Sequence, residues 1–426
     1  MSRTRQPQRG IGTLAISMLL LVGASIVLFY LNRSLIFEQR SSANQLRSTT
    51  ALEVAEAGLE WATGMLNRPQ EMQDDCTPDP SSSTEPTFRS KYVPPHPIQP
   101  RLVPAENVFP GCTLNGIALS CDCPDVPSSG EATAALGAAM WPGFTVRFTP
   151  GGDDDSVRIT STGCSALAGA CTDFTAGSAD ATATVSGTVK LSPLIRSVPA
   201  AALTCGAGCS IGTVTVENVD VATNGITIDA AGPVDFTADH VATIAGLPPE
   251  NSVLAEDAAL AKIVATDPLC TVGALFRAYF GSTLAAYVDA PTTKAIECSS
   301  TSCPEVADAY SEGWRSFYLR GTGGQLSTGT LGSPVDPVTL VSQGAIVLGG
   351  SAQVHGLVFA NAATLSSGTP AVQGALLACA AFTGTGTGRI AYDPVALRNV
   401  QRASAVMVRV PGTWRDFPRP TAAPTP

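Results

Sequence analysis

An uncharged apolar run near the N-terminus places the strongest constraint on this chain. It covers residues 11–31 and follows a short leader that carries Arg3, Arg5 and Arg9. As a helix this run would span roughly 30 Å, about the hydrocarbon thickness of a bilayer. It is longer than the apolar core of a cleaved secretory signal, and no small-residue cleavage site follows it. The run is therefore predicted to stay in the membrane.

The helical pattern continues beyond this run. No proline occurs between Ser34 and Asn67, and Pro69 ends the pattern. An apolar stripe at spacings of three and four consists of Leu52, Ala55, Leu59, Ala62 and Leu66. The opposite face carries Glu53, Glu56, Glu60 and Asn67. One helix over residues 11–68 would be about 85 Å long, and its shape suits lateral packing against other helices.

Disulfide bonds are predicted from the cysteines, all of which follow the apolar run. They are Cys76, Cys112, Cys121, Cys123, Cys164, Cys171, Cys205, Cys209, Cys270, Cys298, Cys303 and Cys379. Neither "CDC" nor "CGAGC" has the spacing of a zinc site, so we expect no metal and no cofactor. Short loops favour the pairs Cys164–Cys171 and Cys205–Cys209, although the other pairings stay open. Disulfides require an oxidising compartment, which places the C-terminal region outside the cytoplasm.

The charge of the chain indicates its orientation and excludes one class of partner. The basic leader favours a cytoplasmic N-terminus, but Arg33 and Arg40 lie just beyond the other end of the apolar run. The cysteines decide between the two orientations, so we expect a single pass with the C-terminal region outside. The net charge is −10, and no basic cluster follows the first fifty residues. Nucleic acid is therefore not an expected partner, because a binding face for phosphates would be basic.

The remaining chain divides by composition. Residues 69–139 are rich in Pro and Ser, contain several cysteines and are predicted to form a linker. Residues 140–198 contain "GFTVRFTP", "DSVRITSTGC" and "DATATVSGTVKLSPL", which alternate apolar and polar positions. They are predicted to form a small antiparallel sheet that packs on the apolar stripe of the helix.

Residues 199–410 are predicted to be β-rich. "VTLV", "GLVF" and "GALL" begin at Val338, Gly356 and Gly374, at offsets of 18 residues, and "AIVL" and "AATL" repeat 17 residues apart. Such repeats favour a β-solenoid, with a β-sandwich of short strands as the alternative. A helical insertion is expected at about 247–320, and a Pro-rich tail at 411–426. The chain is thus predicted to be α+β.

Few residues point to chemistry. Asp153 to Asp155 could bind calcium or form an ordinary solvated turn. His240 and His355 lie in β-rich stretches without a nucleophile elbow. The repeats contain only Asp336 and Asp393 near their ends, fewer carboxylates than a polysaccharide-cleaving groove would need. We therefore expect no enzymatic activity.

The stretches "QRGIGTLAISMLLLVGASIVL" and "EVAEAGLEWA" resemble the N-terminus of type IV pilin-like proteins, the PilX-type minor pilins in particular. This resemblance covers residues 8–67. It implies that a prepilin peptidase cuts after Gly10, that Ile11 becomes the new N-terminus, and that methylation accompanies processing. It also implies that the protein passes from the bacterial inner membrane to a pilus or the cell surface, where its helix packs against other pilins.

Two positions differ from major pilins, and they imply a particular subunit. The first mature residue is Ile11 where Phe is usual, and Ala15 occupies the fifth position, where major pilins carry Glu. Some minor pilins and pseudopilins similarly lack that Glu. The resemblance thus implies a low-abundance or initiating subunit whose β-rich region serves partner contacts or cell adhesion. The alternative is a signal-anchored extracytoplasmic β-solenoid module that binds or cleaves polysaccharide.

Overall fold

The computed structural model describes residues 10–79, 86–94, 101–106, 108–124, 141–166, 181–266, 273–298, 302–321 and 323–417. The helices are α1 Gly10–Leu66, α2 Phe88–Tyr92, α3 Ala258–Ala265, α4 Ala274–Phe280, α5 Leu284–Val288, α6 Glu305–Ser311 and α7 Pro394–Ala403, with 3-10 turns at Val221–Thr223, Ala238–His240 and Pro249–Ser252. The strands are β1 Gly111–Asn115, β2 Ala118–Asp122, β3 Gly143–Pro150, β4 Ser156–Cys164, β5 Thr182–Ser192, β6 Leu203–Cys205, β7 Cys209–Ser210, β8 Thr215–Glu217, β9 Ile228–Ala230, β10 Val234–Asp235, β11 Val241–Ala242, β12 Val253–Leu254, β13 Thr293–Ile296, β14 Ser316–Leu319, β15 Gly323–Leu326, β16 Thr330–Leu331, β17 Val338–Gly350, β18 Gln353–Gly368, β19 Ala371–Ala378, β20 Phe382–Gly384, β21 Arg389–Tyr392 and β22 Val406–Arg409. The predicted α+β class is confirmed.

The long helix α1 has 57 residues and ends two residues before the predicted end. Proline at 69 disfavours the helical conformation at the residue before it and cannot donate a backbone hydrogen bond. The side chains of residues 12–31 are exposed, whereas Ala55, Leu59, Ala62 and Leu66 of the predicted stripe are buried. Leu52 packs at the margin of the same core. Only the second half of α1 is therefore covered by this chain.

An antiparallel sheet covers that half in the strand order β2-β1-β3-β4-β5-β22. The three predicted strands are confirmed as β3, β4 and β5. Two glycines allow the helix and the sheet to approach closely. A Cβ at Gly58 would meet Ser161 and Phe144, and a Cβ at Gly163 would meet the backbone of α1 at Ala51 and Ala55. Contacts this close, with side chains at Gly58 and with backbone at Gly163, disfavour larger side chains at both positions.

The segment predicted as a linker, 69–139, instead contributes structure to this sheet. Strands β1 and β2 form a hairpin, and β1 also pairs with β3. The disulfide Cys112–Cys121 joins directly opposed residues of the hairpin, and Cys76–Cys123 fastens the preceding loop to the end of β2. The linker prediction relied on the many prolines and serines of the segment. That composition does not reveal the short hairpin, which these disulfides hold in place.

A solenoid of parallel strands forms the β-rich region, as the repeats predicted. Val338 pairs with Gly356 and Gly356 with Gly374, while Ala345 pairs with Ala362, so each sequence repeat is one coil. Every pairing in this 16-stranded sheet is parallel. The sandwich alternative is wrong, because sandwiches are built from antiparallel sheets.

A second run of coils precedes the helical insertion and has a longer repeat. Leu203 pairs with Ile228, and Ile228 pairs with Val253, which gives a spacing of 25 residues. The last coil of the chain then stacks on the first, with Leu376 beside Leu203. One ladder of buried side chains runs across this contact between the two runs of coils. It consists of Phe317, Leu340, Val358, Leu376, Leu203 and Ile228. The chain thus enters its solenoid in the middle, and the segment with α3 to α5 connects the two ends at β12 and β13. The range predicted as a helical insertion, about 247–320, also contains the solenoid strands β12, β13 and β14, with α6 between the last two.

The whole solenoid is inserted into the antiparallel sheet. Strand β22 lies within the range predicted as a separate domain, but it pairs with β5, placing Val406 opposite Ser192. The start of the predicted tail follows it, because Ser186 and Arg415 exchange two backbone hydrogen bonds of 2.8 Å. Residues 418–426 lie outside the described residues. Parts of the predicted β-rich domain (199–410) and of the predicted tail (411–426) thus belong to the antiparallel sheet, because these pairings join distant parts of the chain.

Asn67 fastens α1 to the returning strand. Its Nδ2 donates to the Met407 carbonyl at 2.9 Å, and the Met407 backbone N–H donates to its Oδ1 at 2.7 Å. The prediction that Asn67 lies on the polar face is wrong, since the residue is buried. The two hydrogen bonds satisfy both ends of its amide, which makes burial of this polar side chain tolerable.

Candidate functional site

The first half of α1 presents an apolar surface that the described part of this chain leaves uncovered. Residues 12–31 carry no charge, and their exposed side chains include Leu14, Ile16, Leu19, Leu20, Leu21, Phe29 and Tyr30. The helix has a mean hydropathy of 2.5 in its most apolar window, and it is long and apolar enough to cross a membrane. Gly10 is its first residue. The predicted cut after Gly10, before Ile11, stays a prediction, and residues 1–9 lie outside the described residues.

The far half of the helix carries an acidic face that solvent reaches. Glu53, Glu56 and Glu60 are exposed there, as predicted, opposite the buried stripe. Glu60 Oε1 lies 2.6 Å from Nη1 of Arg409 on β22. At the surface such a pair contributes little to stability, but it adds a further link between α1 and β22.

Every cysteine in the described part of the chain is disulfide-bonded. The structure pairs Cys205 with Cys209, the pair that the short loop predicted, and Cys298 with Cys303. Cys171 and Cys270 lie outside the described residues, so the predicted Cys164–Cys171 pair and the fate of Cys270 stay predictions. Cys164 and Cys379 are themselves bonded. The disulfides close loops in both the sheet and the solenoid, which stabilises each part.

The Asp153–Asp155 turn holds a lysine. Nζ of Lys190 lies 3.1 Å from Oδ2 of Asp153 and 3.2 Å from Oδ1 of Asp155. Hydrogen bonds to these two carboxylates raise the pKa of Lys190. The ammonium group thus already pairs with two of the carboxylates that a calcium ion would need. Among the described residues, no group of three or more His, Cys, Asp or Glu side chains is placed to hold a metal ion.

The other residues considered for chemistry have structural surroundings. Asp336 accepts a 2.7 Å hydrogen bond from Nε of Arg315, and Asp393 caps the N-terminus of α7. His240 ends a 3-10 turn, and His355 lies on β18, where burial lowers its pKa. The charge of Asp393 opposes this lowering of the pKa of His355, so the structure brings these two of the four residues near each other.

Sequence reasoning missed one pair of carboxylates, Asp229 on β9 and Asp257 at the start of α3. Burial, and next to it the charge of Asp257, raises the pKa of Asp229 to about 6. Asp257 accepts a 2.8 Å hydrogen bond from the Ala259 backbone and so caps α3. The buried hydroxyl of Tyr279 on α4 lies close enough for Asp229 to contribute to its raised pKa. Where α3 contacts the coil, Asp229 therefore binds a proton at a higher pH than an ordinary aspartate does.

Replacing Asp229 with asparagine is expected to stabilise the protein at pH 7.5 and to leave its stability nearly unchanged at pH 3.5. The folded pKa of about 6 lies above the ordinary 3.8, so the folded state binds more protons between these values. Stability therefore falls as pH rises through this window and stays lower above it. After a discount for partial exposure, the gain at pH 7.5 is about 1–2 kcal/mol.

Urea unfolding at the two pH values measures this difference. Asp239→Asn, a substitution of an exposed aspartate on a neighbouring turn, is the control and should change stability by less than about 0.5 kcal/mol. A loss of stability at pH 7.5 in Asp229→Asn would show that the carboxylate is favourable when ionised.

Comparisons with known proteins add one structural neighbour. No family model matches the chain, and no curated protein matches it. The solved structure of the competence-associated pilin ComZ from Thermus thermophilus is similar with a TM-score of 0.22 and 11% sequence identity. The match covers 87% of this chain and 97% of that chain.

Proposed function

We propose that this protein is a minor pilin-like structural subunit that takes part in the assembly of a type IV pilus. The division of α1 carries the proposal. Residues 12–31 are apolar and uncovered, whereas the half from Ala51 onward packs on an antiparallel sheet of the same chain. An exposed apolar helix of this length needs lipid or other apolar helices around it. A bilayer and a filament core of packed helices would supply these surroundings in turn.

The route of the protein follows from the resemblance to PilX-type minor pilins. The chain enters the bacterial inner membrane once, with its leader in the cytoplasm and its disulfide-bonded region outside. A prepilin peptidase removes the leader after Gly10, and the new N-terminus at Ile11 is methylated. The partners of the helix are then other pilins, in a pilus or at the cell surface.

Ala15 supports an initiating or terminal position in the filament. A Glu at this place in hydrocarbon would need a neighbouring N-terminal amine as its partner. The chain has an amine at Ile11 after processing but has no carboxylate at Ala15. It can therefore accept the Glu of one adjacent subunit without offering the same contact to the next, which suits a starter and not a repeating subunit.

The solenoid would serve contacts with partners or surfaces and perform no catalysis. It is inserted between the sheet strands β5 and β22, both of which follow α1 in the chain. A module attached in this way can extend outward while the helix stays in the filament core. Cell adhesion is one role that such an outward module would support.

Replacing Ala15 with glutamate is expected to raise the ratio of this protein to the major pilin in sheared pili by severalfold. The new carboxylate can pair with the amine of a further subunit, so the variant gains the contact that repeating subunits share. Ala15→Gln is the matched control, because its amide has a similar size but no charge. Quantitative mass spectrometry of sheared pili measures the ratio for both variants and the wild type.

Two results would contradict the starter role. Wild-type protein at near-equal stoichiometry with the major pilin would show a repeating subunit. Absence from both pili and assembly complexes, together with a retained Met1, would favour the polysaccharide-directed anchored module instead.

A further inference from the structure

A cleft of about 480 Å³ lies where the helix-and-sheet part of the molecule contacts the solenoid. Its walls come from the segment after α1, from α2 and the residues beyond it, and from the solenoid with α7. Five arginines from all of these segments line it: Arg68, Arg89, Arg101, Arg315 and Arg402. Such a concentration is unexpected in a chain whose net charge is −10.

The carboxylates of the cleft balance only part of this positive charge. Three line it, namely Glu71, Asp155 and Asp336. Asp336 pairs with Arg315 at 2.7 Å, and Asp155 pairs with Lys190 at 3.2 Å. Within the described part of the chain, no carboxylate forms an ion pair with Arg68, Arg89, Arg101 or Arg402. The lining therefore has an excess of cations that face a shared space.

Arg89 makes this excess costly. Arg89 is partly buried, and the desolvation of its guanidinium lowers the pKa of Arg89. One of its five N–H groups is accounted for, because Nη1 donates to the Ala405 carbonyl at 2.6 Å. An arginine keeps its charge in such a place, and a charge withdrawn from water is stable only with an opposite charge near it.

We propose that this cleft binds the oxyanion group of a small molecule, a phosphate or a carboxylate. Guanidinium groups match both groups through paired, charge-assisted hydrogen bonds. The acidic remainder of the protein disfavours a long polyanion, which would be repelled outside the cleft. Pro69, Val93 and Leu102 supply apolar walls for the rest of such a molecule. This site is independent of the proposed role in pilus assembly.

Calorimetric titration of the full-length, detergent-solubilised protein tests the site, with pyrophosphate and citrate as probes at low salt. We expect one-to-one binding of at least one probe. Arg402→Ala and Arg101→Ala should each weaken it about tenfold, as expected for the loss of one charge-assisted hydrogen bond. Both residues are exposed, so the variants should fold. Arg398→Ala is the matched control, an exposed arginine one turn before Arg402 on α7 that does not line the cleft.

The outcomes separate the sources of the oxyanion. Binding of pyrophosphate alone indicates a phosphate-bearing ligand, binding of citrate alone indicates a carboxylate-bearing one, and binding of both supports the shared chemistry. The proposal is overturned if neither probe binds at millimolar concentration, if both cleft variants bind as the wild type does, or if Arg398→Ala weakens binding equally.

Discussion

Replacing Gly10 with valine is expected to leave the leader on essentially all of the protein and to exclude it from pili. A peptidase that accepts only glycine before its cut has no room for a β-branched side chain. The retained leader keeps Arg3, Arg5 and Arg9 at the end of the apolar helix. Charges of this kind are costly in an apolar filament core, so incorporation should fail together with processing.

Intact-mass analysis and N-terminal sequencing of protein from membranes measure the effect. The wild-type protein should begin at Ile11, and the Gly10→Val protein should retain the leader. Gly12→Val is the control, because Gly12 lies two residues further along the same helix and no atom lies within 4 Å of a Cβ built there. It should be processed normally. Wild-type protein that keeps Met1 in cells with active peptidase would remove the main support for the pilin proposal.

Local periodicity was sufficient to predict the parts of the fold in which neighbours in sequence determine the structure. The stripe through Ala55 and Leu59 gave the buried face of α1, and alternation gave β3 to β5. The 18-residue offset between Val338 and Gly356 gave the coil pairing itself, because each coil repeats the same inward positions. In each case the period of the apolar residues in the sequence equals the period at which residues of that element face the core or the next coil.

Other features carried weaker signals that composition concealed. The dipeptide Asn115–Gly116 is a strong hairpin signal, and Gly116 has a φ of +64°, yet it lies in a stretch dominated by Pro and Ser. The 25-residue repeat that joins Leu203 to Ile228 is carried by strands of only two or three residues. Such strands are too short to show alternation, so this repeat was missed.

The remaining features depend on contacts that no local pattern contains. Nothing near Leu203 indicates that Leu376 stacks on it, and nothing near Asn67 indicates a partner 340 residues away. The same holds for the arginine cleft and for Asp229 and Asp257, whose environments arise only when distant segments meet. These are the contacts that make the solenoid an insertion and not an appended domain.

The insertion itself has a direct consequence: the helix and its sheet should fold without the solenoid. Ser192 and Val406 lie opposite each other in β5 and β22, so an Asn-Gly turn can join them after residues 193–405 are removed. The core of this part is its own cluster, built from residues between Val54 and Val189 together with Met407. The disulfides Cys76–Cys123 and Cys112–Cys121 are also retained.

We expect the shortened protein to unfold in one cooperative transition with a stability lower by about 1–3 kcal/mol. The loss has a definite source, since Arg89 no longer donates to Ala405 and is left without its hydrogen bond. Circular dichroism during heating, with the protein in detergent, measures the transition. The same variant should still be processed after Gly10, because its N-terminal helix is unchanged.

A deletion that extends to residue 409 is the matched control, because it removes four further residues and with them β22. Asn67 then loses both hydrogen bonds to Met407, and the core loses the Met407 side chain. The amide of Asn67 would keep only its hydrogen bond to the Thr63 carbonyl. The two lost hydrogen bonds and a cavity at the end of α1 together cost several kcal/mol, about 3–6 in sum, so this variant should lose its cooperative transition. If the shorter deletion is equally unfolded, the sheet depends on the solenoid for its stability. If both deletions fold equally well, β22 does not fasten α1. The expected difference in stability between the two deletions therefore measures how much the pairing of β22 with β5 stabilises the packing of α1, the helix that would enter the filament.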